Sequence, residues 1–273
     1  MDWNSCFTNK SLASSIPKKD GRSHFQKDYD RIIFSSSFRR LQNKTQVFPL
    51  PGTTFVHNRL THSLEVASVG RSLGELVGNR LIEDDSLDLG PEAITFYSRD
   101  LASVISAGCL AHDIGNPAFG HSGEEAISNF FKTHSQIEIE NEKLRDLYEP
   151  EEWNDLTSFE GNANALRVLT QSFRGKSDSG LGLTITTLAS ILKYPCSSSH
   201  RDKAHRHRKK YGYFQSEKEI FKNIAKSLEF EKDLDDYSYQ RHPFVYLVEA
   251  ADDICYNIID MEDAHRIGLL HKD

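Results

Sequence analysis

The chain has 273 residues, with 33 Lys and Arg against 40 Asp and Glu, so its formal net charge is −7. That balance disfavours a dedicated nucleic-acid binder, although charge can be unevenly spread. Apolar residues make up 38% and charged residues 27%, which excludes a disordered chain, and no apolar run approaches the roughly 20 residues that span a bilayer.

The N-terminal MDWNSCFTNK lacks the basic-then-apolar order of a signal peptide. Cys6, Cys109, Cys196 and Cys255 form no CxxC pair, so neither a disulfide framework nor a zinc ribbon is expected. A cytoplasmic chain of one large domain or two small ones fits these bounds.

Residues 1–24 are polar and read as irregular, whereas 25–47 carries Phe25, Tyr29, Ile32, Ile33, Phe38 and Leu41 at helical spacing. Residues 48–56, with Pro49, Pro51 and Gly52, predict a loop or short hairpin. Helices are predicted over 60–82, opened by Arg59 and His62, and over 101–112, the two separated by a turn-rich connector at 84–91. Ser122 with Glu125 and Ser216 with Glu219 match the capping-box spacing, which predicts helices over 123–134 and from 216 to about 230.

The acidic stretch 136–159 reads as a loop or lid with one short helix. Residues 161–173 and 183–194 look helical, and 243–268 forms a long final helix. The run SSHRDKAHRHRKKY at 198–211 is basic, His-rich and without apolar periodicity. It suits a solvated loop, or a mobile element that brings positive charge to an anionic substrate or nucleic acid. Strands are scarce and no repeat occurs, so the fold class is all-α.

The chemistry gathers in LAHDIGNPAFGHSGE, residues 110–124. His112 and Asp113 end an apolar helix, and Gly115, Asn116 and Pro117 then break it. Adjacent side chains on a helix diverge by about 100°, yet both can reach a cation lying beyond the helix end. A bare HD pair is weak, and two features strengthen it: His62 opens its own helix, and Asp252 and Asp253 interrupt the apolar run VYLVEAADDICYNII.

A carboxylate buried there costs several kcal/mol unless a cation, a proton or hydrogen bonds compensate. His62, His112, Asp113 and Asp252 therefore form a two-nitrogen, two-oxygen set suited to Mn, Fe, Co, Ni, Zn or Mg rather than to a closed structural zinc. Asp252 is preferred to Asp253 because it shares a helix face with Tyr256 and Asp260.

HDIGNPAFGHSGE, HNRLTH, FRRLQNKTQVF and EAADDICYNIIDMED together resemble the HD-domain superfamily and, more narrowly, the deoxyguanosine triphosphate triphosphohydrolases. The likeness runs from about residue 21 to 268. It implies an HD/PDEase-like helical domain over 1–273, the N-terminal part of a longer family-typical chain whose remainder adds substrate contacts and oligomer surface. It implies metal ligands at His62, His112, Asp113 and Asp252, with Mn2+ or Mg2+ foremost, and attack of water at the α-phosphorus to give deoxynucleoside and triphosphate.

His121 and Glu124 match the family's catalytic His and its acidic partner. Arg59 matches an α-phosphate ligand, Gln46 a contact to the sugar 3′-OH, and Tyr256 and Asp260 groups near sugar and phosphates. Glu160 and Asn162 fall in a family stretch without an assigned role, and Lys209, Lys210 and Tyr211 in a segment suited to gating or triphosphate contact. The resemblance implies a deoxynucleoside triphosphate and further copies of the chain as partners. The basic run at 198–211 adds single-stranded nucleic acid as a candidate partner, and the lack of a long apolar run argues against a membrane. A nucleotidase, a phosphodiesterase or a nucleotide-binding regulatory module with little turnover are the alternatives.

Overall fold

Gln26 N–H donates to the Ser23 hydroxyl, and the Gln26 side chain accepts from Ser23 N–H, a capping box that starts helix α1 (His24–Ile33). The computed structural model of the chain describes residues 2–12, 21–46, 57–172, 180–233, 238–266 and 269–270. The helix expected over 25–47 is broken, because the Ser35 hydroxyl takes the Phe38 N–H and opens a separate short helix α2 (Ser36–Arg39), followed by a 3-10 turn Arg40–Asn43. The loop or hairpin expected at 48–56 lies outside the described residues.

Asn58 caps the long α3 (Arg59–Ile82) reciprocally with Thr61. An unanticipated helix, α4 (Pro91–Arg99), begins on the proline that closes the turn-rich connector. Pro91 occupies the first helical turn, where its missing N–H costs nothing. Next comes α5 (Leu101–Ala111), buried from Val104 to Ala111. A helix apolar on all sides belongs at the centre of a fold, and α5 lies between α1, α3, α9 (Ile185–Ser190) and α11 (Pro243–Arg266).

The intervening helices are α6 (Gly120–Thr133), α7 (Pro150–Thr157), α8 (Gly161–Thr170) and α10 (Lys218–Ser227). Between α6 and α7 a two-residue hairpin pairs β1 (Glu138–Ile139) with β2 (Glu142–Lys143). Among the described residues this is the whole of the sheet, and the fold is predominantly helical as expected. No described helix is long and apolar enough to cross a membrane.

Neither predicted capping box forms. Helix α6 starts earlier, after Phe119 in the left-handed region at φ 65°, which leaves Ser122 inside the helix. Ser216 donates its hydroxyl to Glu217 instead of accepting a backbone N–H, and α10 starts without a side-chain cap. The helix expected over 183–194 shortens to α9, which is capped by Thr184.

Glycines four residues apart along α3 bring it close to its neighbours, Gly70 and Gly74 to α5 and Gly78 to the Tyr97 carbonyl of α4. A Cβ on Gly74 would lie 2.7 Å from the Ala102 Cα, and one on Gly70 would lie 2.4 Å from Cys109 Sγ. Side chains there would push the helices apart.

Two buried polar groups tie the N-terminal region to this core. The Asp28 carboxylate accepts from both Thr184 N–H (2.8 Å) and Thr184 Oγ1 (2.6 Å) and pairs with Arg31 at 3.1 Å. Burial pushes its pKa up, and these hydrogen bonds oppose the shift. His242, immediately before α11, donates from Nε2 to the Cys6 carbonyl (2.8 Å) and accepts the Phe244 N–H on Nδ1 (3.3 Å). Both ring nitrogens are thus satisfied by the neutral imidazole, and burial lowers its pKa from 6.5 to about 4.

An imidazole whose folded pKa is depressed stabilises the fold above its unfolded pKa and loses that contribution as pH falls towards the folded value. Between pH 7 and pH 4 the wild-type protein is therefore expected to lose about 2–3 kcal/mol more stability than a His242→Gln variant, measured by urea unfolding at both pH values.

Candidate metal centre and active site

His62 lies in the first turn of α3, His112 caps the C-terminus of α5, and Asp252 sits midway along α11. The close α3–α5 contact sets the two imidazole centroids 5.3 Å apart, edge to face. The Asp252 Oδ1 lies 3.0 Å from His62 Nε2 and 3.5 Å from His112 Nε2. One ligand atom from each of the three falls within 4.8 Å of the others, a group able to hold a metal ion.

The donor set fits such an ion. His112 Nδ1 lies 2.6 Å from the Cys109 carbonyl, and a carbonyl only accepts, so Nδ1 carries a proton and Nε2, 3.5 Å from Asp252 Oδ1, is the ring atom turned towards the trio. Burial alone would raise the Asp252 pKa, but the imidazoles of His112 and His62 outweigh it and hold the carboxylate at about 2. Asp252 is half-buried, whereas Asp253 is exposed. The neighbouring acid therefore needs no compensation, and helix phase separates the two.

Asp113 adjoins this trio. Its Oδ1 is 3.7 Å from His112 Nε2 and accepts from Asn116 Nδ2 at 2.5 Å, while Oδ2 pairs with the Arg59 guanidinium at 2.5 Å. Arg59, expected at a phosphate, thus meets the HD carboxylate. Lys44 donates to the Asn116 carbonyl at 2.5 Å, and so pins the turn that follows Asp113.

Past that turn, His121 and Glu124 enter the same cavity from α6. The pair is joined through Lys210 of the basic run: its Nζ is 3.4 Å from His121 Nε2, 3.8 Å from Glu124 Oε2 and 3.1 Å from Glu160 Oε1. Glu124 Oε1 accepts the Gly161 N–H at 2.8 Å. Burial, and then the like charge of Glu160, push the Glu124 pKa up against the opposing Lys210, Gly161 and His121 contributions.

The cavity, of about 640 Å³, is lined by His112, Asp113 and Asp252 together with His121, Glu124, Asn162, Lys209 and Lys210, while the buried His62 does not line it. Gln46, Arg59 and Tyr256 also line it. Gln46 Oε1 is buried without a hydrogen-bond partner among the described residues. Asp260 is exposed and stands outside the lining, two turns beyond Asp252 and next to the buried Ile259, which turns to the core instead.

The run at 198–211 is more ordered than a solvated loop. Arg208 and Tyr211 are buried, and the Tyr211 hydroxyl donates to the Asp155 carbonyl at 3.0 Å. Sequence reading missed Lys193 and Glu249, which pair at 3.0 Å and line the cavity. Glu249 was within reach, lying three residues before Asp252 on one helix face. Lys193 carries no such signal.

The HD-domain family pattern matches residues 59–195, half of the chain, and includes His62, His112 and Asp113. The chain belongs to the HD-domain family. It is 46% identical over 272 residues to a deoxyguanosinetriphosphate triphosphohydrolase-like protein of Pseudomonas aeruginosa, covering 99% of this chain and 58% of that one. A protein of the same name from Synechocystis is 42% identical over 278 residues, covering 99% of this chain and 61% of that one. A deoxyguanosinetriphosphate triphosphohydrolase of Yersinia pseudotuberculosis is 36% identical over 273 residues, covering 88% of this chain and 49% of that one. This HD protein therefore spans about three fifths or less of the length of these curated relatives.

Gly161 lets α8 approach the HD turn, since a Cβ there would lie 2.2 Å from Asn116 Oδ1 and 2.9 Å from Glu124 Oε1. Gly161→Ala is expected to lower stability by roughly 1–3 kcal/mol through overpacking, read from the urea midpoint. His62→Ala, His112→Ala and Asp252→Ala are each expected to weaken Mn2+ binding by more than about tenfold, read by calorimetric titration.

Proposed function

We propose that this HD protein is a divalent-metal phosphohydrolase acting on deoxynucleoside triphosphates, dGTP foremost, to give deoxynucleoside and inorganic triphosphate. The observation that carries this reading is a single cavity lined by two members of the metal-competent trio, His112 and Asp252, together with the His121–Glu124 pair and its lysines. The third member, buried His62, lies 3.0 Å from Asp252. The names of the relatives from Pseudomonas, Synechocystis and Yersinia support the substrate.

His62, His112 and Asp252, with Asp113 beside them, would hold the ion, Mn2+ or Mg2+ by preference, which supplies Lewis acidity at a phosphate oxygen. Arg59 offers a planar guanidinium to the same phosphate, and Lys193, Lys209 and Lys210 set positive charge along the cavity for the rest of the triphosphate. His121 moves the proton that accompanies attack of water and departure of the 5′ oxygen, with Glu124 setting its charge and orientation. Gln46 and Tyr256 flank the sugar, and Tyr256 is the wall against a 2′-hydroxyl. Asp260, exposed and outside the lining, has no part in this arrangement.

A second reading draws on the exposed cations Arg201, Lys203, Arg206 and Lys209, the last of which lines the cavity: a regulatory module that binds single-stranded nucleic acid with little turnover. Assembly into a homo-oligomer and residence in the cytoplasm accompany the main reading.

Incubating the purified protein with each deoxynucleoside triphosphate and Mn2+ or Mg2+ is expected to release triphosphate. Release of monophosphate or pyrophosphate instead would assign another HD phosphohydrolase, and salt-dependent strand binding without turnover would assign the regulatory module. His112→Ala and Asp113→Ala should lose metal and turnover together, whereas His121→Ala should keep the metal and lose a factor of about 10²–10⁴ in rate.

A further inference from the structure

Lys210 is held at both ends. Next to it in the chain, Tyr211 is buried with its hydroxyl on the Asp155 carbonyl, which fixes where the lysine stem begins. Its ammonium lies 3.1 Å from Glu160 Oε1, and Glu160 is itself buried at the N-terminus of α8. The Asn162 side-chain amide (2.7 Å) and backbone N–H (3.4 Å) donate to that same oxygen. The ammonium is thereby set 3.4 Å from His121 Nε2 and 3.8 Å from Glu124 Oε2. A lysine has four rotatable stem bonds and a strongly hydrated head, so an anchor of this kind decides where its charge sits.

We infer that Glu160 is a positioning residue: it parks the Lys210 ammonium between two carboxylates beside His121. This rests on reading His121 and Glu124 as the reacting pair. The bridge keeps Lys210 from closing onto Glu124, whose second oxygen is already committed to the Gly161 N–H. It also holds a cation where triphosphate oxygens can take it over, leaving His121 Nε2 to the reacting groups. The groups that face Glu124 are Glu160, Lys210, His121 and the Gly161 amide. Removing the anion or the cation of the bridge therefore changes the Glu124 proton affinity in opposite directions.

Two measurements test the inference. The first needs no turnover: lysine acetylation by an amine-selective ester, mapped by peptide mass spectrometry. In Glu160→Gln the oxygen that Asn162 donates to is retained and only the charge is lost. Lys210 is expected to label several-fold faster than in the wild type, with Lys209 unchanged as internal control. Equal labelling of Lys210 in both proteins overturns the anchor.

The second is the pH profile of kcat for triphosphate release. Its acid limb should move to lower pH in Glu160→Gln and to higher pH in Lys210→Met, with bound metal unchanged in both. A fall in rate with neither limb displaced would show Glu160 to be merely structural and overturn the inference; Lys210→Met alone decides this arm if Glu160→Gln does not fold. A wild-type protein that turns over no deoxynucleotide removes the functional reading, while the labelling result still decides whether Glu160 holds Lys210.

Discussion

The separation of α3 and α5 governs the rest of the molecule. Both helices end at the site: His62 stands in the first turn of α3, and His112 follows the last residue of α5. Their rings lie 5.3 Å apart because the helices meet closely at Gly70, against Cys109, and at Gly74, against the Ala102 backbone. Packed helix axes are usually about 8–10 Å apart, according to the side chains between them. Larger residues at Gly70 and Gly74 would carry the two imidazoles apart along with their helices, and Asp252 on α11 would have no common point to face. The metal-competent geometry is thus a property of the core, expressed at its edge.

From that edge the chain turns back on itself in a very short space. Asp113 is tied to Arg59 and Asn116, the Asn116 carbonyl to Lys44, and Gly161 admits α8 against the turn. Phe119 adopts φ 65° without being glycine and remains largely exposed beside the cavity. A non-glycine residue in that region persists only where the surroundings over-determine it. Here the pinned turn on one side and α6 on the other leave it no alternative, and the outcome delivers His121 and Glu124 to the cavity that His112 and Asp113 already line.

Charge distribution explains how an acidic protein can present a cavity suited to an anion. The net charge of −7 belongs to the whole surface, whereas Arg59, Lys193, Lys209 and Lys210 converge on one cavity. Three of these cations are balanced in place by a carboxylate: Asp113 for Arg59, Glu249 for Lys193, and Glu160 with Glu124 for Lys210. Such pairing lowers the cost of desolvating like charges close together.

Much of this was legible in the residues alone. Apolar periodicity located α3, α5 and α11, the chemistry of a carboxylate in an apolar helix pointed to Asp252, and helix phase chose it over Asp253. Local signals failed where a competing local bond or a tertiary contact prevailed. Ser35 broke the first helix, α6 began ahead of its Ser122 box, and α4 went unseen behind its opening proline. The sequence by itself determined the helical class and which residue types could bind a metal, because periodicity and side-chain chemistry are local. Only the tertiary structure decided that Lys210 and Glu160 meet beside His121, that Lys193 and Glu249 share their cavity, and that Asp260 stands apart. Those facts depend on where helices distant in sequence come to rest, and no spacing along the chain encodes the distance between two helices once packed.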